Sequence, residues 1–509
     1  MASLPFPKQV SRALISNPKI DRSHPISRRK YSNWANSIAK LGFCLWVVFQ
    51  TLGTSKADAQ TVESNLSPDR SKNRVSETVR VQAELSLNGN LHLPENALIS
   101  KKIAIQIPIR SVAKFDYAEQ KIAPNDATLG SQQGSLRLYD QASAITTVNQ
   151  REHQLSLRDG TGPILVLSKE NQELFFANNS VLSREELDLL KLPVSSASLD
   201  AFLPPQLAEL SEGDSFAVNS TSLATAFRLM NVTSSNVKGK VTSANTETIK
   251  MRLEGQLSGN ADQTTTNIEM IANLNYSHKH RTCIWLAMGI REEREISVAE
   301  PGFEIAATLK IQRTPIDPVD LLASSNLIPI AYDQVSPEKL LIEQRSDYLN
   351  FKTLTDRSWY MLTDAPGIAT MRQIEDDQVI SQCDFRTPPK LPIGKKYTPE
   401  DFQNEIVQKL GEQLGSLGDI EVEETPSALQ ILRVVADGEA QGIPIRWVFL
   451  HFGDPTGRRL IATFTMEAGL SEKFSDGDRQ IASSLRFLAS ESAKNQDSSG
   501  QTTENAEPR

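Results

Sequence analysis

Three side chains with metal-binding chemistry fall close together, in His278-Lys279-His280 followed by Cys283. Imidazole nitrogens and a thiolate are ligands for Zn or Cu, and three of them on one hairpin form an incomplete coordination set. Two features count against a metal: the histidines sit where a turn is expected, and Cys283 opens an apolar run that aims it inward. Nucleophilic hydrolysis needs a base within hydrogen-bond reach of an activated Ser or Cys. Behind the first 59 residues the histidines are His92, His153, His278, His280 and His451. His451 ends the run Ile445-Arg446-Trp447-Val448-Phe449-Leu450 and reads as strand-edge filler, with no Gly-x-Ser-x-Gly elbow beside it. The acidic runs Glu375-Asp376-Asp377 and Glu421 to Glu424 are of the kind that serve glycosidases or bind Ca, but both fall at turns or strand edges, where charge solvates the chain. Arg291-Glu292-Glu293-Arg294-Glu295 reads as the solvated end of a strand. Gly457-Arg458-Arg459 lacks the Lys-Ser/Thr of a phosphate loop. The Asn-x-Ser/Thr triplets at Asn178, Asn219, Asn231 and Asn275 match the glycosylation pattern as a Ser/Thr-rich chain does by coincidence. No catalytic residue and no cofactor are assigned.

The elements that would position these groups are mostly strands. Ile249, Met251, Leu253 and Leu257 alternate with polar residues; Ile268, Met270, Ala272, Leu274 and Tyr276 do the same, as do Phe303, Ile305, Ala307, Leu309 and Ile311. They predict an antiparallel meander. Cys283 to Ile290 is apolar at both parities and predicts a central strand covered on two sides. Val79 to Leu93 and Lys102 to Ile109 predict earlier strands. Ser183-Arg184-Glu185-Glu186 is a capping box opening a short helix, and Phe202-Leu203-Pro204-Pro205 joins two subregions.

A second module begins after about Asp356. Trp359 to Met371 and Val379 to Phe385 predict a hairpin. Thr398-Pro399-Glu400-Asp401 opens a helix with a hydroxyl cap and Pro at its first position. Tyr397 and Phe402 are spaced as a hydrophobic staple, and Phe402, Ile406, Leu410 and Leu414 make one apolar stripe. Three strands follow, Leu429 to Ala436, Ile445 to Phe452 and Leu460 to Met466, the last two joined by the turn Asp454-Pro455-Thr456-Gly457. A closing helix is expected from about Asp476 to Leu488.

The first 59 residues have the parts of an export signal. Arg28, Arg29, Lys30 and Lys40 precede the apolar run Leu41 to Phe49, and Ala57-Asp58-Ala59 before Gln60 fits a small-residue cleavage site between Ala59 and Gln60. The run is shorter than the ~20 residues of a spanning helix, which leaves an uncleaved signal-anchor as the alternative. The formal charge of the whole chain is -8, and the leader carries nine of the Lys/Arg against two acids, so the remainder stands near -15. Nucleic acid and anionic membrane surfaces are disfavoured as partners, because both require clustered positive charge. Beyond Cys44 in the leader, Cys283 and Cys383 can either join in one interdomain disulfide or stay as two buried thiols, the reading adopted.

The strand pair, the Thr398-Pro399-Glu400-Asp401-Phe402-Gln403 helix start, the meander containing Ile445-Arg446-Trp447-Val448-Phe449 and the terminal Ser483-Ser484-Leu485-Arg486-Phe487-Leu488 together resemble the PsbP/DcrB-like α/β sandwich. Residues 79 to 488 as a whole resemble uncharacterised exported bacterial proteins that put such a module behind a β-rich region. The resemblance implies an extracytoplasmic accessory or binding module and carries over no functional residue. The expected chain is α+β: a signal peptide at 1–59, a flexible spacer at 60–78, an antiparallel β-rich domain at 79–320 with a subdivision near 202–210, a connecting segment at 321–356, a PsbP/DcrB-like domain at 357–489 and a disordered tail at 490–509. The expected role is that of an exported, soluble, periplasmic or extracellular binding or scaffold protein for another envelope protein or an apolar small molecule. An extracytoplasmic hydrolase or metal-binding protein using His278, His280 and Cys283 is the alternative.

Overall fold

The computed structural model describes residues 78–488, apart from 94–104, 123–132, 170–171, 178–179, 262–263, 297–300, 324–334, 377 and 427. The leader with its Ala59–Gln60 cleavage site, Cys44, the spacer and the tail lie outside the described residues. The described residues divide into two compact units, one within 78–342 with 374–379, the other within 343–373 and 380–488.

The first unit is one sheet with a helical cover. Its first half contains β1 (Thr78–Leu93), β2 (Ile105–Ile122), β3 (Gln133–Val148), β4 (Arg151–Ser156), β5 (Ile164–Lys169) and β6 (Gln172–Ala177). Then come α1 (Arg184–Leu190), a 3-10 turn at Ser196–Phe202, β7 (Ser215–Ala217) and α2 (Ser220–Phe227). The second half is β8 (Asn231–Ser235), β9 (Lys238–Ala244), β10 (Thr248–Ala261), β11 (Thr264–Ser277), β12 (Thr282–Arg294) and β13 (Gly302–Ile316). All thirteen strands join in the order β6-β5-β3-β2-β1-β13-β12-β11-β10-β9-β7, with β4 on β3 and β8 on β10. Every pairing is antiparallel. The two ends of the chain segment therefore meet in the middle of the sheet, at β1 and β13, while β6 and β7 form its edges.

Period two makes the middle of one sheet face apolar. Val81, Ala83, Leu85, Leu91, Leu253, Met270, Leu274, Leu286, Met288 and Leu309 are all buried on it, each worth roughly 1–3 kcal/mol on removal from water. The cover is residues 182–229, which lie between β6 and β8 and supply Leu187, Leu190, Leu199, Phe202, Leu223 and Phe227 to the same core. The capping box forms as the spacing requires: the Glu186 amide donates to Ser183 Oγ at 3.1 Å and the Ser183 amide to Glu186 Oε2 at 2.8 Å. Two expectations need correcting here. The Cys283–Ile290 segment is not covered on both faces: Leu286, Met288 and Ile290 are buried while Gly289 is exposed. Its doubled apolar parity comes from a bulge, since Tyr276 pairs with Cys283 and Asn275 with Trp285, leaving Ile284 as the extra residue. The run 291–295 is not wholly solvated either, because Glu292 and Arg294 stay in phase with Met288 and Ile290 and are buried.

The second unit contains β14 (Ile342–Ser346), β15 (Phe351–Thr355), β16 (Trp359–Ala365), β17 (Ile368–Glu375), β18 (Gln378–Arg386), α3 (Pro399–Leu410), β19 (Leu414–Leu417), β20 (Glu421–Glu424), β21 (Gln430–Ala440), β22 (Ile443–Gly453), β23 (Arg459–Glu467), α4 (Gly477–Ser484) and β24 (Arg486–Phe487). Eight of these strands form a sheet in the order β16-β17-β18-β23-β22-β21-β19 with β20 on β21, and β14-β15-β24 form a small one. The expected hairpin is three strands, because Gly367 at φ +84° turns the chain between β16 and β17. The expected stripe on α3 stops at Leu410. Gly411 ends the helix and Leu414 begins β19. Thr398 caps α3 by accepting from the Asp401 amide at 3.1 Å.

The α+β class with a PsbP/DcrB-like α/β sandwich is overturned. The described chain is mostly antiparallel sheet, and its helices are short: α3, the longest, has 12 residues, against strands of up to 18. A stripe of three buried apolar residues on α3 and two on α4 makes a patch on the sheet and not a layer of a sandwich.

Candidate functional site

At one end of the apolar face, the strands end in charged residues that keep the inward phase. Glu119 follows Phe115 and Tyr117 on β2, and Arg313 follows Leu309 and Ile311 on β13. Glu119 and Arg137 stand opposite each other in the β2–β3 register and pair at 2.8 Å with both side chains almost fully enclosed. Ser135 donates to the same carboxylate oxygen at 3.0 Å, and the Arg137 guanidinium lies over Tyr117 and Phe175. Burial opposes the charge on Glu119, but Arg137 and Arg313 hold its carboxyl below the usual range. Burial likewise raises the Tyr117 and Tyr139 hydroxyls, which stay protonated.

Beside this pair the cover touches down through Asp200, on the 3-10 turn. Its carboxylate accepts from Thr282 Oγ at 2.8 Å and from the Cys283 amide at 2.8 Å. Lys121 Nζ stands 3.6 Å away and Arg313 Nη1 3.8 Å. Arg313 Nη1 also donates to Thr282 Oγ at 2.9 Å and to the Cys283 carbonyl at 3.1 Å, so a relay runs from guanidinium through hydroxyl to carboxylate. Three strands thus contribute four donors or cations to one carboxylate: β2 gives Lys121, β12 gives Thr282 and the Cys283 amide, and β13 gives Arg313. The Asp200 side chain keeps 32% of its exposure and Lys121 47%, so water reaches the site from one side. Leu199 and Phe202, flanking Asp200 on the turn, are fully buried in the apolar core. The arrangement holds the Asp200 carboxylate with two hydrogen bonds and two nearby cations.

The cover has a second polar anchor and a perturbed carboxyl. Arg228 pairs with Glu173 of β6, both buried, and donates to the Leu192 carbonyl at 2.5 Å. Asp188 on α1 is raised to about 6 by burial, against which Lys191 and Arg184 work.

The residues singled out in the sequence fall near this site without forming one of their own. His278 is exposed on the β11–β12 turn with its ring 5.6 Å from that of Tyr276, and His280 is half-buried on the same turn. Cys283 points into the core, where burial raises its thiol. Its amide, not its sulfur, faces Asp200. Among the described residues no group of three His, Cys, Asp or Glu is placed to hold a metal. Cys283 and Cys383 are both buried free thiols, each in the core of its own unit. His92 and His153 lie on β1 and β4.

His451 is fully buried in the second unit. Arg459 Nε donates to its Nε2 at 2.9 Å, and its ring stacks on Tyr397 at 4.8 Å. Burial, then the Arg459 charge, lowers His451 to about 3. It is a neutral imidazole acting as an acceptor, with no imidazolium proton to give. Burial and the hydrogen bond to Glu405 at 2.6 Å push the Tyr397 hydroxyl up to about 12. The acidic run on β20 is taken up by cations: Glu421 binds Arg433 at 2.7 Å and Arg479 at 3.0 Å, and Glu424 binds Lys396 at 2.7 Å. Glu375 and Asp376 lie at the β17–β18 turn; Asp377 is outside the described residues.

Sequence reasoning missed Asp200, Thr282, Arg313, Lys121, Glu119 and Arg137. The available signal was phase: Glu119 and Arg313 sit at even spacing from apolar residues whose burial was expected. Asp200 gave no signal, since nothing local announces which strand a 3-10 turn will meet.

No family model matches the chain, and no curated protein matches it. Among solved structures, the cyanobacterial PsbP (CyanoP) of Synechocystis is similar over 32% of this chain and 99% of its own, at 11% identity and a TM-score of 0.23. OccK5 (OpdH) of Pseudomonas aeruginosa covers 76% of this chain with 96% of its own, at 9% identity and a TM-score of 0.12. The translocator domain of the autotransporter NalP from Neisseria meningitidis covers 78% with 88%, at 8% identity and 0.11. TM-scores this low establish no common fold. Among the described residues no helix is long and apolar enough to cross a membrane, which says nothing about crossing with strands.

Proposed function

We propose that the chain is an exported envelope protein that works without catalysis, its first unit binding an apolar small molecule on the inner face of the thirteen-stranded sheet. One observation carries the reading. The middle of that face is apolar, and what covers it is short helices and turns between residues 182 and 229, apart from edge strand β7, in place of a second sheet. Short helices held at few points open at lower cost than a sheet ladder does, and a ligand that binds the opened face recovers the burial lost when the cover leaves.

The test is titration of the purified chain with the neutral fluorophore N-phenyl-1-naphthylamine, combined with hydrogen exchange. Saturable one-to-one binding with faster exchange confined to residues 182–229 is the expected result. Absence of saturable binding overturns the proposal. N-terminal sequencing of exported protein tests the address, with Gln60 as the expected first residue and Met1 the result against it.

A further inference from the structure

The Asp200 site has a chemical meaning beyond holding the cover down. From the sheet's side it is a preformed receptor for a carboxylate: an amide N–H from Cys283 and a hydroxyl from Thr282, each 2.8 Å from an Asp200 oxygen, with Lys121 and Arg313 alongside. None of these four belongs to the cover. From the cover's side, Asp200 brings a carboxylate with two buried apolar neighbours, Leu199 and Phe202, lying on the apolar face. A negative head at the rim with an apolar body behind it is the form of a single-chain amphiphile. Further polar atoms lie enclosed at this end without a partner, among them the donors Arg313 Nε and Arg137 Nη2, the Tyr117 hydroxyl and the acceptor Glu119 Oε2.

We infer that the ligand is a long-chain carboxylate, and that Asp200 occupies its head site in the closed molecule. The inference rests on the apolar-face reading above and adds the head. The fatty acid would place its carboxylate on the Thr282 hydroxyl, the Cys283 amide and Arg313, with its chain along Leu309, Leu286 and Met288. Asp200 is then a competitor in the same chain. The ligand must displace it, and the 32% exposure of its side chain gives the incoming head a way to the site before the cover has moved. Charge-assisted hydrogen bonds of this kind discriminate strongly against a head that lacks the charge.

The experiment compares oleate with oleyl alcohol, which has the same chain and no charge, on the full chain by isothermal titration. Asp200→Ala is expected to tighten oleate about tenfold, and Arg313→Met to weaken it about tenfold, the size of one charge-assisted hydrogen bond. Oleyl alcohol should respond to neither charge. Because Arg313 is buried and its replacement can impair folding, Thr282→Val and Lys121→Met provide the same test from the rim, with circular dichroism checking each fold. Oleate affinity unchanged in Asp200→Ala, or unchanged across the Arg313, Thr282 and Lys121 variants, overturns the head site. Binding of the alcohol with that charge indifference leaves the apolar-face reading standing, whereas failure of both ligands on wild type and Asp200→Ala removes both readings.

Discussion

Both units enclose an arginine against a polar partner, and the two arrangements differ in what surrounds them. In the first unit Arg313 and Lys121 meet a carboxylate that is one-third exposed and anchored on a short turn. In the second, Arg459 meets a neutral imidazole with no exposure at all, walled by Tyr397 and Phe402. The first has the charge and the access that a ligand needs. The second has a charge but no access, and its geometry is that of a pin: Tyr397, just before α3, stacks on His451 of β22, which Arg459 of β23 holds by one hydrogen bond. A perturbed acidity therefore does not mark the site here. His451 is shifted because it is sealed, and sealing is what disqualifies it.

Four measurements break or sharpen that contrast. The largest effect is expected deep in the first unit, where Arg137→Met leaves Glu119 buried and unpaired and should cost about 3–5 kcal/mol in urea unfolding. A loss below about 1 kcal/mol would mean that water enters the Glu119 pocket and that the enclosed and rim pairs are alike. Next, His451→Leu strips the acceptor from a buried guanidinium and should cost about 2–3 kcal/mol, whereas Asp200→Asn, at the rim, should cost under about 1 kcal/mol. Equal losses would erase the distinction between pin and site.

His451 and Asp188 should also respond to acid with opposite signs. His451 is near 3 folded against an ordinary 6.5; between those values the unfolded chain holds more protons, so the second unit loses stability as pH falls from about 6.5. Asp188 is near 6 folded against 3.8, so the native state holds more protons between them and this one group adds stability on acidification from about 6, against the loss from Glu119, whose carboxyl is held low. Each slope is at most about 1.4 kcal/mol per pH unit. Calorimetry between pH 7 and 4 should show the two contributions, with His451→Gln abolishing the loss and Asp188→Asn the gain. Slopes of the same sign from the two groups would contradict it. The smallest effects are the helix caps: Ser183→Ala and Thr398→Ala should each cost about 1 kcal/mol, and amide exchange should quicken in α1 for the former and in α3 for the latter. Spread of the Ser183→Ala effect to the whole first unit would show the cover to be less independent than its short helices suggest.

Much was determined by the sequence alone, wherever the governing interaction is local. The alternation at 249–257, 268–276 and 303–311 specifies strands and their inward faces because side chains alternate at period two wherever the strand pairs. Ser183-x-x-Glu186 and Thr398-Pro399 specify helix starts because a cap is satisfied within three residues. Tertiary structure decided what depends on residues far apart in the chain. It brought β13 beside β1, turned the doubled parity at Cys283 into a bulge at Ile284, and reduced the expected α/β sandwich to short helices on antiparallel sheet. It also set the candidate site. Cys283 was conspicuous for its sulfur, yet its amide does the binding, facing a carboxylate 83 positions earlier. Hydrogen bonds between a turn and a strand end have no period and no local motif; they exist because the sheet delivers Lys121, Thr282 and Arg313 to one rim.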